Sequence, residues 1–159
     1  IFKATSVAPA VELSFLLLFI ISLTFLSCNF GAETFPYLIE ELETSSYSEK
    51  GLFEHLGLRF KILNTGTKSI EKITVAFTVF DSVSGENPFI TSNYLEAEFS
   101  GTIQPKESKT FEISFDDKVN FVPNHLFRTE NFYVKSIKYK DGSAWKDIFA
   151  SYSISEEDL

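Results

Sequence analysis

The sequence predicts an all-β fold, an immunoglobulin-like sandwich of about seven antiparallel strands preceded by an N-terminal signal or anchor helix. Three observations carry this. Apolar residues beyond about position 55 recur with period two, the runs are short and separated by turn chemistry, and β-branched and aromatic residues concentrate within them. Phe alone accounts for 18 of the 159 residues, which suits two facing sheets whose side chains fill a layer about 10 Å thick.

The first element is Leu13 to Leu26, LSFLLLFIISLTFL, a run without charge. It is shorter than the roughly 20 residues a membrane-crossing helix needs and matches the h-region of a secretory signal. Lys3 precedes it, and Glu12 abuts it. It ends at Cys28, the one cysteine of the chain, so no intramolecular disulfide can form. The residues leave three readings of Cys28: a lipidated cysteine, a buried thiol ending a core helix, or the end of an uncleaved membrane anchor. The expected organisation is a signal over residues 1–27, a tether over 28–51 and the sandwich over 52–159. In the tether, Leu38 to Leu42 has the spacing of a short helical turn, and the polar Ser45 to Lys50 supplies flexible reach.

Within the sandwich, Leu56, Leu58, Phe60 and Ile62 share one face of a strand, and Asn64-Thr65-Gly66 turns the chain. Ile73, Val75, Phe77 and Val79 mark the next strand, between Glu71 and Asp81. Ser84 to Pro88 is a loop. Leu95, Ala97 and Phe99 then resume the alternation, followed by Phe111, Ile113 and Phe115. Residues around Pro123 predict a loop or one helical turn. Val134, Ile137 and Tyr139 change parity, which predicts a β-bulge. Asp141-Gly142 predicts a hairpin returning as Trp145 to Phe149.

Two resemblances add to this. Thr24-Phe25-Leu26-Ser27-Cys28 resembles a relaxed lipobox of bacterial lipoproteins, which implies cleavage before Cys28 and acylation of its thiol. Phe77-Thr78-Val79-Phe80-Asp81, Gly101-Thr102-Ile103-Gln104-Pro105-Lys106-Glu107-Ser108 leading to Phe111, and Tyr139-Lys140-Asp141-Gly142-Ser143-Ala144-Trp145 resemble FxLYD-type and related immunoglobulin-like domains of bacterial lipoproteins. Val79 and Phe80 stand where that motif has Leu and Tyr. The second resemblance covers roughly residues 56 to 149 and implies a fold without implying an activity. Together they imply a protein of the bacterial cell envelope, held in a lipid bilayer through acylated Cys28, with its domain facing the periplasm or exterior. Its expected partner is another cell-envelope or extracellular protein.

The chain carries 14 basic and 22 acidic residues, a net charge of −8, which argues against nucleic acid as a partner. The candidates for general-base chemistry are His55 and His125, and neither lies in a hydrolase or metalloprotease motif. Asp116, Asp117, Asp141 and Asp147 lie near loop ends without forming a calcium-loop pattern. The expectation is therefore a non-catalytic interaction module with no cofactor and no metal. Two rivals stay open. A small-ligand or transporter-accessory lipoprotein would need a pocket lined by Tyr94, Tyr133 or Trp145, and a hydrolase would need His55 or His125 beside an acid and a nucleophile.

Overall fold

Alternation along Ile70–Asp81 turns Ile73, Val75, Phe77 and Val79 to one side, all at most 1% exposed, and this strand, β3, is central to its sheet. The structure is a computed structural model and describes residues 35–46, 51, 53–54, 56–119 and 124–159. Around β3 stand β1 (Tyr37–Ser45), β2 (Gly57–Asn64), β4 (Tyr94–Ile103), β5 (Ser108–Ser114), β6 (Phe127–Tyr139) and β7 (Ala144–Lys146). They form a three-stranded sheet ordered β1-β2-β5 and a four-stranded sheet ordered β4-β3-β6-β7, with antiparallel pairing throughout. This is the expected all-β sandwich. In the constant-type immunoglobulin arrangement the fourth strand joins the sheet of the first two; here β4 pairs with β3 in the opposite sheet.

Aromatic rings fill the space between the sheets. The Phe60 ring lies 4.9 Å from Phe132, 5.3 Å from Phe111 and 5.4 Å from Phe99, so both sheets meet on it. Toward the end of the sandwich that holds the β3–β4 loop, Phe115 contacts Phe77 at 6.1 Å and Phe89 at 5.7 Å. These centroid separations fall in the range where ring pairs contribute beyond the area they bury.

Three expectations are corrected. The tether expected over residues 28–51 instead supplies β1, which pairs along β2 from Tyr37↔Asn64 to Ser45↔Gly57. A register shift between Ile39 and Glu41 changes parity, so buried Ile39 and Leu42 stand three residues apart and imitate a helical turn. The sandwich thus begins near Phe35, not at residue 52. The return strand expected from Trp145 to Phe149 stops at Lys146, because the buried Asp147 carboxylate accepts the N–H of Phe149 at 3.1 Å and turns the chain out of the ladder. The bulge expected in β6 is present: Thr74 pairs with Ser136 and Val75 with Val134, leaving Lys135 as the extra residue. The segment 1–34, with its predicted signal and Cys28, lies outside the described residues, as do His55 and Pro123.

Candidate functional site

The loop carboxylates are the groups the sequence offered for cation binding, and the structure shows what each accepts. Asp116 takes the N–H of Glu54 at 2.7 Å and of Leu56 at 3.1 Å, so it fastens the chain entering β2 to the end of β5. Asp141 meets Lys68 at 2.8 Å and the Ser143 N–H at 2.9 Å; the lysine first, then Ser143, hold its carboxyl well below the usual range. Asp147 is 5% exposed. Burial by itself would push its carboxyl up, but the N–H groups of Ser151, Phe149 and Tyr152 together outweigh that and hold it low. Asp117 is exposed and stands 3.7 Å from Lys118. Among the described residues no three His, Cys, Asp or Glu side chains converge as a metal site.

His125 is half exposed and lies 3.7 Å from Asp81. The Asp81 carboxylate accepts the N–H groups of Ser84 at 2.8 Å and Val83 at 2.9 Å, which lower its pKa, with a smaller contribution from His125. Asp81 therefore shapes the loop after β3, with His125 beside it.

Of the three aromatics expected to line a pocket, two meet and one does not join them. Tyr94 and Tyr133 bring their hydroxyls within 3.4 Å on the outer face of the four-stranded sheet, above Ala76, which pairs with Tyr133 and Glu96. Tyr94 donates to Glu96 at 3.0 Å, and Lys135 reaches the same Glu96 oxygen at 2.5 Å. Burial, then the bonds to Tyr133 and Glu96, raise the Tyr94 phenol above its ordinary value. Trp145 packs edge-on against Tyr37 at 5.6 Å and Phe35 at 6.1 Å and belongs to the core margin. One open groove, about 210 Å³, lies between Arg128, Glu130 and the C-terminal Glu156 to Asp158. That is below the roughly 300–1,000 Å³ typical of small-molecule sites.

Sequence reasoning missed the uncovered apolar residues of the loops. Val83 is 70% exposed, Ile90 75% and Leu126 49%. The N–H of Ser82 donates to the Leu126 carbonyl at 3.1 Å, which joins the β3–β4 loop to the segment entering β6. Phe89 anchors the β3–β4 loop in the core against Phe115 and Phe127, while the Asn87 side chain accepts the Phe89 N–H and donates to the Thr91 carbonyl. Ile148 and Phe149 form a second exposed apolar pair, beyond β7. The available signal was an apolar residue inside a stretch rich in Ser, Asn, Gly and Pro, where alternation gives it no inward face.

Comparison with known protein families and with curated proteins finds no match to this chain.

Proposed function

We propose that the protein is a lipid-anchored, extracytoplasmic lipoprotein of a bacterial cell envelope, with an FxLYD-like domain that acts as a non-catalytic protein-interaction module. The observation that carries the interaction role is the loop end of the sandwich, where Val83, Ile90 and Leu126 stay in water on loops held by Asn87, Asp81 and buried Phe89. Exposed apolar residues on loops fixed to a rigid scaffold are the usual material of binding surfaces. The loop carboxylates Asp116, Asp141 and Asp147 serve backbone and lysine partners, which supports binding over catalysis as the domain's work.

Anchoring rests on the apolar run and on Ser27-Cys28. The chain enters the domain at Phe35 and Pro36, whose carbonyls accept from Thr65 and Gly66 in the β2–β3 turn. The exposed loops lie at the other end of the 12-residue β3, about 36 Å away at 3.3 Å per residue.

Intact mass of the protein made from its own signal in a bacterial host tests the anchor. A mass gain matching diacylglycerol, absent in Cys28→Ser, is expected; an unmodified chain retaining residues 1–27 overturns it. A photo-crosslinking residue placed at Ile90 tests the surface against one at exposed Thr110 on β5. Specific adducts at 90 and none at 110 are expected, and equal yields overturn the assignment.

A further inference from the structure

We infer that Ile148 and Phe149 form a wedge that enters the lipid–water interface and sets which side of the domain faces the bilayer, a step that rests on the acylation of Cys28 proposed above. The two side chains are 76% and 82% exposed, the largest values among the exposed large hydrophobics. Their exposure does not come from a fraying end. Asp147 donates its N–H to the Lys135 carbonyl at 3.0 Å, and its carboxylate accepts from Phe149 at 3.1 Å and Tyr152 at 3.4 Å. Ala150 sits in the left-handed region at φ 51°, a conformation that a non-glycine residue holds only when its surroundings impose it. Beyond it, Ile154 and Phe132 exchange backbone hydrogen bonds at 2.7 and 2.9 Å. A buried carboxylate and two flanking pairings thus fix a turn whose tip is apolar and wet.

The position of this turn along the chain selects its occupant. Tyr152 stacks on Phe35 at 5.0 Å, so the chain enters the domain against the turn that carries the tip. Residues 29–34 separate Cys28 from Phe35, a length that reaches at most about 25 Å. Acyl chains on Cys28 therefore keep Phe35 within that distance of the headgroups, and the turn stands beside it through the stacked Tyr152 ring, along the middle of the β6 edge. The net charge of −8 gives the chain no overall attraction to anionic lipid, and the Ile-Phe tip supplies an apolar contact in its place. Ile90, on the loop beyond the far end of β3, lies farther from Phe35 than the tip does.

The test uses the full chain, processed from its own signal in a bacterial host and reconstituted into phosphatidylcholine vesicles, with a nitroxide attached at Phe149→Cys or, separately, at Ile90→Cys. Both positions are exposed, so neither substitution disturbs the core, which circular dichroism confirms before labelling. Acylated Cys28 cannot react, giving one label per chain. The expected result is a severalfold higher ratio of oxygen to aqueous nickel-complex accessibility at 149 than at 90, the mark of a probe among acyl chains. Equal aqueous accessibility at both positions on vesicle-bound, singly labelled protein overturns the wedge and leaves the anchor standing. Protection of position 149 from both reagents overturns it in favour of a protein cover, a second copy or another segment. Two labels per chain without flotation overturn the anchor and the wedge together.

Discussion

The hydroxyls of Thr44 on β1 and Thr129 on β6 lie 2.9 Å apart, joining the two sheets through a buried polar contact. The Glu156 carboxylate accepts the backbone N–H of both residues, that of Thr129 at 2.6 Å. A residue far along the sequence therefore closes the seam where the end of β1 approaches the start of β6, toward the loop end of the sandwich, since Thr44 pairs with Leu58 and Thr129 with Val79.

The hydroxyl pair behaves asymmetrically. Thr44→Val or Thr129→Val alone leaves one buried hydroxyl without its partner and costs about 1–3 kcal/mol, whereas the double substitution replaces both by apolar groups of the same shape and costs less than the sum. Urea unfolding of the four proteins measures this coupling, with a favourable interaction of about 1 kcal/mol expected.

Glu156→Ala removes the acceptor of two N–H groups, one of them on fully buried Thr129. The expected loss is about 2–3 kcal/mol, read as a fall in Tm of roughly 6–12 °C for a domain of this size. Glu156→Gln keeps a single acceptor oxygen and lies between the two. Exposed Glu157→Ala changes Tm by no more than about 2 °C.

Much of the fold is legible where each strand keeps one parity. Ile73 to Val79 and Phe111 to Phe115 read as strands because β-branched and aromatic side chains alternate without interruption, and the structure buries the inward set as expected, with Ile113 only partly covered. The parity change in β6 was legible as a bulge because Val134 and Ile137 flank it with unmistakable strand formers. The same event in β1 was not, since Glu40-Glu41-Leu42 are good helix formers and the bulge gives Ile39 and Leu42 helical spacing. Only pairing with β2, a long-range fact, decides it. The candidate surfaces were less legible still. Phe89 and Ile90 are adjacent apolar residues in one loop, and nothing local says that the first enters the core while the second stays 75% exposed.

Asp147 gives the domain a specific response to acid. Its folded pKa is depressed, since the N–H donors of Ser151, Phe149 and Tyr152 outweigh burial, while its unfolded value is near 3.9. Its contribution is therefore fully present above about pH 4 and is lost as pH falls through the lower folded value. Asp147→Asn is expected to lower stability at neutral pH and to flatten the fall in Tm below pH 4. The measurement is Tm from pH 7 to pH 2 for both proteins, and a parallel pair of curves would rule out this assignment.

The core makes a blunter prediction through Phe60, fully buried among Phe99, Phe111 and Phe132. Phe60→Ala removes the ring on which both sheets meet and costs about 3–5 kcal/mol, a large share of the roughly 5–15 kcal/mol that holds a domain of this kind together. The urea midpoint should drop accordingly, with an unchanged slope if the sheets stay closed.

Gly57 tests packing on the opposite side of the same strand. Alternation places it with Arg59 and Lys61 on the outer face of β2, yet it is buried, because Phe53 folds back over it. A methyl group at position 57 would lie 2.2 Å from the Phe53 ring and 2.7 Å from the Ile113 carbonyl oxygen of β5. The ring is itself buried and the carbonyl belongs to a paired strand, so neither yields without loosening the packing around β2. Gly57→Ala is thus expected to destabilise by about 1–3 kcal/mol through overpacking, against the usual gain from replacing glycine in the unfolded chain. Adding Phe53→Ala removes the ring clash and leaves the carbonyl clash. If the double variant recovers none of the loss attributed to Gly57→Ala when compared with Phe53→Ala alone, the carbonyl is the obstacle; if it recovers most of it, the ring is.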